Sequence, residues 1–261
     1  ELALASKLGV DDEVPVTHEN FRQWVLEDDF CAGRPHWEEV GATFSDNVHG
    51  FETQKIRILN AGHQIIVNIA EILNIETISE AMDHAQIHKF FLKVQSEEIV
   101  HHVAQVPGMN PQQYVNLIER RFSNPEIIDT VRRVAFDGSS RHPGFILPTV
   151  HDGLAAGVSV EGLAFVEAAW ARMCEGTRED GSIIEANDPF WDTLMKTAKK
   201  AKTEPQAWLE MRNTYGSLAD QPRFKSAFSR WLLMIWDLGV ETALASYCDN
   251  RVPVQYEEGQ V

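Results

Sequence analysis

Cysteine is scarce in these 261 residues: Cys31, Cys174 and Cys248 are the whole complement, an odd number at wide spacing. Such a set makes no disulfide framework and points to a reducing compartment, so the cytoplasm is the expected location. Long apolar runs are missing too. No stretch approaches the roughly 20 residues that cross a bilayer, and no secretory leader is visible at Glu1. Positive charge is in short supply, 23 basic residues against 39 acidic for a net of -16. A surface that negative repels phosphate backbones and anionic lipid, which disfavours nucleic-acid and membrane partners. No GxGxxG or related glycine fingerprint follows a strand, so there is no visible place to seat a dinucleotide pyrophosphate on a helix N-terminus. Internal repeats and low-complexity tracts are absent as well.

What the chain does have is helix punctuation. Asn110-Pro111, Asn124-Pro125, Asp188-Pro189, Glu204-Pro205 and Gln221-Pro222 set proline at a first helical position, the first three behind a good cap residue. Helices are expected at 51–74, 78–104, 111–122, 125–136, 159–174, 189–201, 205–213 and 222–247, and loops at 137–147, 175–188 and 248–261. Strand signals are few, in Val16–Asp28 and in GATFSDNV at 41–48. The expected class is mainly α, with a few short strands near the N-terminus. An extended segment, 1–50, precedes a helical domain, 51–261.

The densest chemistry lies in KIRILNAGH, Lys55 to His63. At about 3.6 residues per turn, with Lys55 at zero, Glu52 falls near 60°, His63 near 80° and Asn60 near 140° around the helix. Ile58, Ala61, Ile65, Ile69 and Ile72 form an apolar stripe on the other side. Ile56, Val67 and Ala70 interleave with the polar residues, and apolar neighbours lower a lysine's pKa by desolvating the ammonium. The set suits the interconversion of a secondary alcohol and a ketone. Lys55 takes the hydroxyl proton, the Asn60 amide donates to the developing alkoxide, His63 orients a hydroxyl, and Glu52 passes the proton to water. The plainer reading is a solvated helix face with one satisfied histidine.

The run WVLEDDFCAGRPHWEEVGATFSDNVHGFETQKIRILNAGH, Trp24 to His63, resembles the opening of the C-terminal domain of the polyol-specific long-chain dehydrogenases, the family of mannitol 2-dehydrogenase and fructuronate reductase. RRVAFDGSSRHPGFILPTV, Arg132 to Val150, is similar to the same family's Arg, Asp-Gly-Ser and Lys-Pro pattern. The similarity continues through VPGMNPQQYVNLIERRFSNPEI to the AAW around Trp170. Residue by residue, the resemblance implies a general base at Lys55, an oxyanion asparagine at Asn60, a substrate-orienting histidine at His63, a proton-path glutamate at Glu52 and a polyol-binding arginine at Arg133. A substrate-contacting lysine of the family falls at Arg141, whose planar fork alters the reach to a sugar hydroxyl. Ala61-Gly62 stands where the family commonly has Gly-Ser.

The resemblance further implies a multi-helical substrate domain like the C-terminal domain of 6-phosphogluconate dehydrogenase. Family members begin with a Rossmann domain that binds NAD or NADP, and segment 1–50 would pack on it. A chain that opens at Glu1 in a helical-looking ELALASKLG reads as the substrate half of such an enzyme, inactive by itself. The expected reaction is mannitol-like polyol to 2-ketose, with no metal. The rivals are a uronate reductase of the fructuronate type and a non-catalytic helical interaction domain.

Other groupings have plainer readings. His84 and His88, one turn apart, read as an adventitious surface pair, and His101 lies some 20 Å up the axis from His84 at 1.5 Å per residue. FDGSSRHPG, Phe136 to Gly144, lacks P-loop spacing and reads as a loop that points Arg133 and Arg141 into a cleft. Trp231, Met234 and Trp236 read as helix core, and the basic run Lys196–Lys202 as a solvated helix end.

Overall fold

The computed structural model describes residues 6–9, 12–14, 16, 18–253 and 256, in two compact units, Glu1–Val48 and His49–Val261. In the first, β1 (Val25–Leu26) runs parallel to β2 (Thr43–Phe44), with Val25 opposite Thr43 and Leu26 opposite Phe44. Trp24 and Phe30 pack on Trp37 between the strands, and the Arg34 guanidinium lies 3.4 Å over Phe44 while its fork holds Asp28. The strand expected over Val16–Asp28 therefore shrinks to two residues, because Thr43–Phe44 is its one ladder partner among the described residues and the chain turns after Leu26 to bring Arg34 onto Asp28. Thr17 and the opening Glu1–Ala5 lie outside the described residues.

The second unit is built around one long helix in three parts: α1 (Val48–Gln54), a π-wound turn (Lys55–Asn60), and α2 (Ala61–Ile72). Every residue of α2 except His63 is buried, since α6 (Val131–Ala135) and α9 (Glu161–Cys174) pack along it. The apolar stripe is in the core as expected, but Val67 and Ala70 are in it too, both 0% exposed. They cannot desolvate Lys55, which is exposed. A helix walled in on all sides has no polar face beyond its first turn.

The single helix expected over 78–104 is broken. A capping box, Thr77 with Glu80, starts α3 (Ile78–Asp83), and His84 then adopts an extended backbone at φ -75°, ψ 109°. α4 (Ala85–Val94) follows, then a second π-wound turn (Gln95–Ile99) and a 3-10 turn (Val100–His102). α5 (Pro111–Phe122) begins at the expected proline, with Asn110 and Gln113 forming a capping box. The helix expected at 125–136 is reduced to α6. The Asn124 side chain accepts the Glu126 N–H, while Asp129 O and the Val131 N–H bond to Ile78 and Glu76, so cross-chain bonds hold 124–130 out of a helix.

The expected loop 137–147 is instead mostly helix: α7 (Gly138–Phe145), followed by α8 (Leu147–Ala156). Asp137 enters α7 in the left-handed region at φ 62°, and a Cβ on Gly138 would lie 2.6 Å from the Trp170 indole nitrogen, so only glycine lets α7 sit on α9. Downstream come α10 (Trp191–Ala201), α11 (Gln206–Leu209), α12 (Arg212–Tyr215), α13 (Pro222–Leu238) and α14 (Val240–Cys248). The spans 205–213 and 222–247 are each two helices, parted at Glu210–Met211 and at Gly239, where φ is 85°. Trp231 and Met234 are buried, and Trp236 packs against the same core, each large side chain worth about 1.5–3 kcal/mol of transfer energy. Lys199 and Lys200 are exposed in the last turn of α10. The three cysteines are free. No helix among the described residues is long and apolar enough to cross a membrane.

Candidate active site

Lys55 and Asn60 stand at the two ends of the π-wound turn KIRILN. Its rings close at i→i+5, as in the bond from the Ala61 N–H to the Ile56 carbonyl. Residues five apart are then about one turn apart along the axis, where α-helical spacing would separate them by roughly 140° around it. The winding therefore brings the lysine and the asparagine closer in azimuth than the sequence spacing implied. Lys55 is exposed and Asn60 half-buried. One turn before, in α1, Glu52 is exposed and lies 3.2 Å from the exposed His49 ring.

His63 follows in the first turn of α2, half-buried and stacked on Phe122 of α5 with ring centroids 4.2 Å apart. Burial pushes its pKa down to about 4; Asp129 opposes that, and Arg133, Arg141 and Arg121 add to it. The imidazole is thus neutral at physiological pH and offers one donor and one acceptor. Arg133 and Arg141, from the second sequence block, are among the charges that act on His63 electrostatically.

The two arginines differ. Arg133 is exposed, and its fork is taken up by Asp129, at 2.8 Å from Nε and 2.6 Å from Nη2. That carboxylate raises the guanidinium pKa further. Arg141 lies on α7, half-buried, and donates to the Val134 carbonyl at 3.0 Å. It is therefore presented by a helix, and the loop expected to carry it is absent. Asp129, Arg121 and Phe122 were not anticipated from sequence. The i,i+4 spacing of Asp129 and Arg133 is a readable signal, whereas the Phe122 stack depends on how α5 crosses α2 and leaves none.

Other histidines are engaged elsewhere. His84 pairs with Glu241 at 2.9 Å and His88 with Glu119 at 2.8 Å. No three His, Cys, Asp or Glu side chains among the described residues are grouped to hold a metal ion. The Lys196–Lys200 and Glu210–Thr214 segments border clefts away from Lys55, Asn60 and His63. The candidate site is accordingly the face of the long helix that carries Lys55, Asn60 and His63, with Phe122 stacked on the histidine and the charges of Arg133 and Arg141 felt by it.

Comparison with known proteins gives the family of the chain. Residues 47–236 match the mannitol dehydrogenase C-terminal domain family. Mannitol 2-dehydrogenase of Cereibacter sphaeroides is 46% identical over 247 residues, covering 95% of this chain and 52% of that protein. The Aspergillus clavatus enzyme of the same name is 32% identical over 251 residues, covering 95% and 50%. Among solved structures, Pseudomonas fluorescens mannitol 2-dehydrogenase in ternary complex with NAD and D-mannitol superposes with a TM-score of 0.86 at 32% identity, over 95% of this chain and 51% of that one. A D-sorbitol dehydrogenase in substrate-free form gives the same TM-score at 27% identity, over 93% and 50%. The chain spans about half the length of the curated relatives it matches, and by residues 47–236 it belongs to the mannitol dehydrogenase C-terminal domain family.

Proposed function

We propose that this chain is the substrate-binding and acid–base half of an NAD(P)-dependent dehydrogenase that interconverts a mannitol-like sugar alcohol and its 2-ketose. The observation that carries the reading is the π-wound turn with Lys55 at one end and Asn60 at the other, beside a neutral His63. Lys55 Nζ removes the proton of the reacting hydroxyl, the Asn60 amide donates to the alkoxide so formed, and His63 fixes a neighbouring hydroxyl. Arg133 and Arg141 bind the far end of the polyol. The described helices contain no strand, glycine turn and helix unit for a pyrophosphate, so in this reading the dinucleotide sits on an N-terminal Rossmann domain. That cofactor supplies the hydride acceptor. A base near neutral pH needs a desolvated lysine, and because Lys55 is open to water in this chain, the substrate and the cofactor domain closing over it must exclude that water.

A uronate reductase is the second reading, favoured by three arginines within electrostatic reach of His63. The carboxylate of Asp129 already occupies the Arg133 fork, which favours a neutral polyol over an anion. The test is nicotinamide reduction by the two-domain protein with mannitol, arabinitol, sorbitol, mannonate and altronate. Oxidation of a neutral polyol is expected, with Lys55→Ala lowering turnover a hundredfold or more, the scale of a lost general base. Near-normal turnover in that variant removes the base assignment. Aldonate oxidation alone selects the reductase reading, and no turnover on any of the five favours a helical interaction domain or a substrate outside the panel.

A further inference from the structure

The π-wound turn that carries Lys55 and Asn60 is an uncommon winding, found in single turns inside α-helices, and something outside the turn has to hold it. A second π-wound turn, Gln95–Ile99, contacts it. From the first position of that turn the Gln95 side chain, 0% exposed, reaches across and donates from Nε2 to the Ile58 carbonyl at 2.8 Å, in the middle of KIRILN. On the rim of the same turn, Arg57 donates to the His102 carbonyl at 2.8 Å and to Asp152 at 2.6 Å. The wide turn is thus pinned from inside by Gln95 and from outside by Arg57.

Two details mark Gln95 as more than packing. Its Oε1 is buried with no hydrogen-bond partner among the described residues, a cost that an apolar side chain of the same shape would avoid. Space for the amide is also reserved: a Cβ on Gly62 would lie 3.0 Å from Gln95 Nε2 and 3.1 Å from Phe91. A side chain at 62 would press on the Gln95 amide and the Phe91 ring, and one of them would have to give by a few tenths of an ångström.

We propose that Gln95 is a positioning residue for the reacting groups, keeping Lys55–Asn60 in the i→i+5 winding that sets the base and the oxyanion donor one turn apart. The proposal rests on the reading of Lys55 as base. Its effect falls on the transition state, because the alkoxide contact forms only there, so kcat and kcat/KM should drop together while the polyol KM stays near that of the parent.

The test uses the two-domain protein with Gln95→Met, Gly62→Ala, the double variant and Lys55→Ala measured in parallel. For Gln95→Met, kcat is expected to fall roughly ten- to a hundredfold, the scale of about 1 Å of misplacement. The basic ionisation in its pH–rate profile should move, and amide exchange at Asn60 and Ala61 should speed up. Gly62→Ala should do the same by displacing Gln95, and the double variant should be little worse than either single one. A Gln95→Met protein with the parent's kcat, pH profile and Asn60 exchange overturns the proposal, as does a double variant whose losses multiply. Should Lys55→Ala retain turnover, the base reading has failed; should Lys55→Ala be inactive while Gln95→Met matches the parent, only the positioning role has failed. If Gln95→Met does not fold, Gly62→Ala alone decides by the same three readouts.

Discussion

Two imidazoles in this fold stack on aromatic rings at the same centroid distance, 4.2 Å, His63 on Phe122 and His142 on Trp170. Their surroundings are otherwise opposite. His142 is 0% exposed and engaged at both nitrogens: Asn68 Nδ2 donates to Nε2 at 3.0 Å, and Nδ1–H donates to Glu167 at 2.7 Å. The other oxygen of Glu167 accepts the Tyr215 hydroxyl at 2.6 Å, and Tyr215 in turn accepts the Trp208 indole N–H at 2.6 Å. Both arms donate towards Glu167, and with the Asn68 amide donating to Nε2, the proton on His142 Nδ1 is the one given to Glu167. The His63 side chain, on the same helix as Asn68, makes no hydrogen bond among the described residues, and its ring contact is the Phe122 stack. A closed polar network in the core specifies how α7 and α9 meet α2. An open one at the start of that helix marks where the fold leaves chemistry unfinished.

The sharpest way to break this comparison is to truncate both rings. His142→Ala strands the Asn68 amide and the Glu167 carboxylate in the core, and it is expected to cost about 3–5 kcal/mol in urea unfolding. His63→Ala removes a stacked but unbonded ring and should cost about 1 kcal/mol. Equal losses would mean that His63 is a core group, and its place in the site would fall.

Next in size is a pH effect confined to His63. Its pKa is about 4 in the folded chain against 6.5 when unfolded, so between those values the unfolded state binds more protons. Folding stability rises with pH through that window and is lost as pH falls from 6.5 towards 4. The difference in unfolding free energy between the parent and His63→Gln should therefore shift in the variant's favour on acidification, by about 2 kcal/mol after allowance for solvent reaching part of the ring. A difference that stays flat from pH 7 to pH 4 would show that the ring is not desolvated, and the stack on Phe122 would need another explanation.

The closed region and the open one were not equally legible. Local chemistry was readable where it acts alone: the Asn110-Pro111 cap predicts α5 to the residue, and the stripe from Ile58 to Ile72 predicts the buried side of the long helix. It failed where distant backbone took over. Asn124-Pro125 is as good a helix signal as Asn110-Pro111, yet bonds from Asp129 and Val131 to the 76–78 segment hold that stretch out of a helix. The 137–147 segment looked like a loop because Pro143 and two glycines interrupt it, but α7 is sustained by the buried His142 and by Gly138 against Trp170. In the candidate site, Lys55, Asn60 and His63 were singled out by their pattern and by the family resemblance, and the structure places the first two in the π-wound turn and the third just after it. The π winding that sets their spacing was not legible, because a π turn has no local signature; it depends on Gln95, 37 residues away from Ile58.

The smallest expected effect tests how far the open region extends along α1. Glu52 precedes Lys55 by three residues, on the same face of the helix, and its carboxylate touches only the exposed His49 ring among the described residues. An exposed pair of that kind contributes about 0–1 kcal/mol, so Glu52→Gln should leave stability within about 0.5 kcal/mol of the parent. If Glu52 passes the proton from Lys55 to water, the variant should keep its polyol KM and lose about tenfold or less in turnover, below the effect of removing the base itself. Proton release, followed with a pH dye, should then lag behind nicotinamide reduction, whereas the parent shows the two in step. Absence of a lag would mean that water reaches Lys55 directly and that the working face begins at Lys55. A loss as large as that of Lys55→Ala would mean instead that the carboxylate controls the charge of the lysine, and the two would have to be treated as a coupled pair.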